Sequence, residues 1–131
     1  MEMKNSTVIR VPAKLDYSFF RMLVEFLTPI HKLSSRNADV FAALLFERYK
    51  ITKDAPLATE SIISVLLSST DTKNRICEYL DIKPTHYSVV LQKLRKAKVM
   101  GEKDINPKFI PMFTNGEGDY KLIIHFDINE S

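Results

Sequence analysis

Between Pro84 and Lys98, Tyr87, Val90, Leu91, Leu94 and Ala97 recur at i, i+3, i+4, i+7 and i+10. That spacing lays one apolar stripe along a helix of 3.6 residues per turn. Beyond Gly101 the period changes. Tyr120, Leu122, Ile124, Phe126 and Ile128 fall on one side of an extended segment, with Lys121, His125 and Asp127 on the other. Such alternation belongs to a half-buried strand. The chain must therefore fold into something that holds helices and strands together.

The earlier segments read in the same way. Ser6 to Val11 alternates, is rich in β-branched residues and is closed by Pro12, so it predicts a short strand. Asp16 then predicts the cap of a helix from Tyr17 to Ile30. Only Ser18, Arg21, Glu25 and Thr28 make a polar stripe on that helix. A helix apolar almost all round has to be buried almost all round, either in the core or against a partner chain. Serines 34 and 35 open a helix over Asn37 to Tyr49, with Val40, Phe41, Leu44 and Leu45 as its core face. A short apolar helix over Thr59 to Leu67 follows, then a capping cluster at 68–70 and a helix over Asp71 to Leu80.

The stretch 74–98 thus reads as helix, tight connection at 81–83, and second helix opened by Pro84. Phe109 to Phe113 predicts an edge strand, and Asn115-Gly116-Glu117-Gly118 a hairpin turn. The tail Leu91-Gln92-Lys93-Leu94-Arg95-Lys96-Ala97-Lys98-Val99 resembles the end of a recognition helix in winged-helix regulators. The expected fold is therefore α+β but mainly α: a helix-turn-helix, winged-helix-like core over 33–131, with a C-terminal β-hairpin wing. Residues 1–32 form a strand-and-helix extension, and the whole is one domain.

Composition narrows the class. At 131 residues the chain buries enough surface to need no staple. Its longest apolar run, Val40 to Phe46, is far short of the roughly 18 residues of a membrane span. Met1 to Asn5 lacks the apolar core of a signal peptide. The single Cys77 cannot form an intramolecular disulfide and reads as a core filler. His31, His86 and His125 fall on separate elements without ligand spacing, so no metal is expected. There is no phosphate loop, dinucleotide fingerprint or nucleophile elbow. The expectation is a protein without enzymatic activity, catalytic residues or cofactor.

Net charge is only +3, but its distribution is uneven. Ile82 to Gly101 holds five basic side chains and no acid, whereas 109–131 holds one base and four acids. A basic stripe on a recognition helix suits nucleic acid. Lys83, Arg95, Lys96 and Lys98 would meet phosphates, Gln92 could read an adenine, and His86 and Lys93 would share that face. The acidic Glu117 and Asp119 at the expected wing tip would repel phosphate, and an acidic protein partner is the other reading of the same helix.

Several stretches resemble a small protein of crAss-like phages, the tailed phages of gut Bacteroidales, and of related marine phages. The carriers are Ile9-Arg10-Val11-Pro12-Ala13-Lys14-Leu15-Asp16, Phe19-Phe20, Pro29-Ile30-His31-Lys32-Leu33 and Ile105-Asn106-Pro107-Lys108-Phe109-Ile110-Pro111. The resemblance implies a virion structural subunit, a ring or adaptor of the head–tail connector assembled in the bacterial host cytoplasm. Its partners would be copies of itself and neighbouring portal or tail proteins, with no membrane. Ile9, Val11, Tyr17, Phe19, Phe20, Met22, Phe26 and Ile30 would then form the subunit interface. The alternative is a phage-encoded transcription regulator that binds double-stranded DNA.

Overall fold

The computed structural model describes residues 14–111, together with Ile9 and Tyr120. Among the described residues six helices follow one another: α1 (Tyr17–Phe26), α2 (Thr28–His31), α3 (Ser35–Asp54), α4 (Glu60–Leu67), α5 (Thr70–Leu80) and α6 (Pro84–Lys96). A 3-10 turn, Pro107–Phe109, comes after them.

Helix starts follow local chemistry. Asp16, Ser34, Thr59 and Ser69 each accept a hydrogen bond from the backbone N–H three residues on. These bonds satisfy donors that a helix leaves unpaired at its first turn. α5 stops at Asp81, whose φ of 54° is left-handed, and the Ile82 N–H returns to the Cys77 carbonyl at 3.0 Å. Pro84 then opens α6 at a position where a missing N–H costs nothing.

α3 is the hub. It packs against α1, α4, α5 and α6, and α5 packs against α6. Val40, Phe41, Leu44 and Leu45 are buried as their spacing predicts, and Ala38, Ala42 and Ala43 are buried as well. Small side chains on several sides let neighbours approach a central helix from more than one direction.

Two buried charges tie α3 to its neighbours. Arg48 donates from Nε to Asp104 at 3.1 Å and from Nη2 to Glu60 at 2.9 Å. Glu47 accepts two bonds from Arg75, at 3.1 and 2.9 Å, and pairs with Lys50 at 2.8 Å. Arg21 joins α1 to α3 through Asp39 at 2.7 Å.

The expected α+β, winged-helix-like architecture is not what the structure shows. The protein is mainly helical, and no strand occurs among the described residues. The expected strand at 6–11 lies outside the described residues except for Ile9, and the hairpin beyond Pro111 lies outside them except for Tyr120. Within them, an isolated antiparallel bridge between Met100 and Ile105 is all the extended pairing there is. Phe109, expected to start an edge strand, sits in the 3-10 turn instead. The Asn106 side chain accepts the Lys108 N–H at 3.1 Å, and Pro107 fixes the first position, so the segment turns rather than extends.

The expected helix 17–30 is also interrupted, at Leu27. Pro29 explains the break: it has no N–H to give, and its ring would press on the carbonyl one turn back. Nor is this helix wrapped on all sides. Phe20, Leu23 and Val24 are buried, while Phe26 and Ile30 are both 55% exposed.

Candidate nucleic-acid interface

α6 has a buried side and an open side. Tyr87, Val90 and Leu94 face the core. Thr85, His86, Ser88, Val89, Gln92, Lys93, Arg95 and Lys96 are exposed. Thirteen residues at 1.5 Å each make a rod of about 20 Å.

The charges on this rod are not neutralised locally. Arg21, Arg48, Lys50 and Arg75 engage in salt bridges, whereas Lys83, Lys93, Lys96 and Lys98 join none among the described residues. The acids nearest in sequence, Glu78, Asp81 and Glu102, are exposed and also outside those pairs. Lys98 has a left-handed φ of 63°, which turns the chain away from the helix axis.

Arg95 has a different task from the lysines. Its Nε donates to the Gly101 carbonyl at 3.3 Å and its Nη2 to the Glu102 carbonyl at 3.1 Å. The guanidinium thus fastens the loop after α6. A guanidinium has five N–H donors, so three remain. Beside it, an open cleft of about 130 Å³ runs between α6 and the α4–α5 turn, floored by Leu44, Tyr87 and Met100. Lys73, Lys103 and Glu102 share its lining with Arg95. The sequence reading missed this cleft, because Lys73 and Lys103 flank α6 in space but lie on other segments.

The residues expected at a subunit interface differ in exposure. Phe20 is buried, and Tyr17, Phe19 and Met22 are half-buried. Tyr17 meets Tyr79 edge-on at 5.1 Å, and Phe19 meets Tyr120 at 5.9 Å. Ile9, Phe26 and Ile30 are exposed, and Val11 lies outside the described residues. A second apolar surface, also missed, is on α4: Ile62, Val65 and Leu66 are 49%, 62% and 42% exposed. Their i, i+3, i+4 spacing opposite the buried Ile63 and Leu67 was the available signal.

The titratable groups read as structural. His31 is buried; its Nδ1 accepts the Leu33 N–H at 2.9 Å and its Nε2 lies 2.7 Å from the Val24 carbonyl. His86 is exposed and His125 is outside the described residues. Burial pushes the Cys77 thiol up, away from the reactive thiolate. Among the described residues no three His, Cys, Asp or Glu side chains gather as metal ligands, and no helix is long and apolar enough to cross a membrane.

No family model, curated protein or solved structure matches this chain.

Proposed function

We propose that this protein is a non-enzymatic module that binds double-stranded DNA through the open side of α6. One observation carries the reading: Lys83, Lys93, Lys96 and Lys98 have no ion pair among the described residues, and Thr85, His86, Ser88, Val89 and Gln92 on the same helix are exposed. Uncompensated cations along and beside the exposed side of a helix fit a polyanion, and the major groove of B-DNA admits one helix. The lysines would hold phosphates, and Gln92, with Val89 beside it, would face base edges. Fluorescence anisotropy with a labelled duplex across a salt series tests this. Lys93→Ala combined with Lys96→Ala should weaken binding on every sequence and flatten the slope of log K against log salt by about 1.8, at roughly 0.9 per phosphate contact. A wild-type protein indifferent to duplex at low salt would overturn the reading.

The virion-subunit reading keeps its own support. The α4 side chains Ile62, Val65 and Leu66, with Phe26 and Ile30 at the end of the α1–α2 unit, are apolar and exposed. In a closed ring each interface joins one patch to a different patch on the next copy, and two separate apolar surfaces suit that arrangement. Sedimentation of the purified protein discriminates: a large closed oligomer that ignores DNA favours the connector subunit, and a small species with salt-sensitive duplex binding favours the module proposed first.

A further inference from the structure

We infer that the cleft between α6 and the α4–α5 turn is a phosphate-binding site. Three cations, Lys73, Arg95 and Lys103, line it against one carboxylate, Glu102. Neither lysine joins a salt bridge among the described residues. Arg95 is held by its two carbonyl bonds and keeps three N–H donors, and a guanidinium is a donor of the kind that grips oxyanions. The serines of the lining do not compete. Ser68, Ser69 and Ser88 donate to the carbonyls of Ser64, Leu66 and Pro84, so the attraction comes from the cations. The cleft, about 130 Å³ and open to solvent, is larger than a single water needs.

The chemistry is shared by a phosphodiester of duplex DNA and by free phosphate. The first source rests on the DNA reading and would place a backbone phosphate beside the open side of α6, fixing how the helix enters the groove.

The experiment has two arms. In the first, ¹⁵N-labelled protein is titrated with inorganic phosphate, using chloride at matched ionic strength as control. Saturable shifts at Ser69, Lys73, Ser88 and Lys103 that the Lys73→Gln, Lys103→Gln double variant loses are expected. Shifts that never saturate, or that persist in a variant whose spectrum is otherwise native, would overturn the site. In the second arm, duplex binding across the salt series should lose about one unit of slope in the same variant, as for one phosphate contact. An unchanged slope beside a saturable first arm assigns the cleft to free phosphate and overturns the backbone source. A wild type that binds phosphate saturably but no duplex refutes the α6 reading and leaves the cleft standing.

Discussion

Arg48 Nε lies 3.1 Å from Asp104 Oδ1, across 56 positions of sequence, and the same guanidinium reaches Glu60 at 2.9 Å. One side chain on α3 thus holds both the start of α4 and the loop that follows α6. The Arg48 side chain is 11% exposed and that of Asp104 is 21% exposed, so removing Arg48 would leave the Asp104 carboxylate with the Ile105 N–H at 2.7 Å and no cation. Breaking a buried pair by deleting one partner costs about 3–5 kcal/mol. Because Asp104 keeps some contact with water, Arg48→Ala should fall at the low end, about 3 kcal/mol, read from the urea midpoint.

Phe41 is fully buried and meets the Phe109 ring edge-on at 5.8 Å. Phe41→Ala should cost about 3–5 kcal/mol, as other buried phenylalanine truncations do. Phe109→Ala empties the same contact from the other side. If the two rings are coupled, the double variant should be less destabilised than the single costs predict together, and a denaturation-based double-mutant cycle checks this.

The helical part of this fold was readable because its causes are local. Asp16 and Ser34 cap where cap residues predict, and Tyr87, Val90 and Leu94 are buried on the spacing of α6. The burial of Glu47 and Arg48 was not readable, because their partners are 28 and 56 residues away. Phe109 was misread for a related reason: apolar residues beside proline suit an edge strand and a 3-10 turn alike, and the Asn106 side chain decides. At the candidate site, Lys93 and Lys96 were visible as charge in sequence. The cleft was not, since it is assembled from α3, the α4–α5 region, α6 and the loop after α6.

Exposed apolar side chains separate assembly from stability. Phe26 is 55% exposed and Val65 is 62% exposed. Phe26→Asp or Val65→Asp should lower the folding stability by about 1–2 kcal/mol, the worth of the apolar area each side chain still buries, and leave the protein folded. If either residue holds a neighbouring copy, the sedimenting mass should fall, and the melting temperature should rise with protein concentration in the wild type but not in the variant. An unchanged mass in both variants would remove α4 and the end of α1 as contacts between copies.

The Tyr17 phenol is pushed up to about 12, first by burial and then by the Asp39 charge. Its hydroxyl also donates to the Asp39 carbonyl at 3.3 Å. A phenol that ionises later in the folded state than in the unfolded chain adds stability below pH 10, and that stability is lost as pH rises towards 12. The unfolding midpoint should therefore drop between those two pH values. Tyr17→Phe should make the drop smaller without abolishing it, because burial raises the Tyr87 phenol as well.

Cys77 is the sole thiol of the chain, and it sits at 7% exposure on α5, the helix packed against α6. A thiol-specific reagent reaches it fully when this region opens, so its modification rate reports local opening at one place. No engineered label is needed. A ligand that braces α6 should slow that modification, whereas one that binds a distant surface should leave it at its free rate. The residue with the least chemistry to offer becomes a built-in reporter of which face of the protein is occupied.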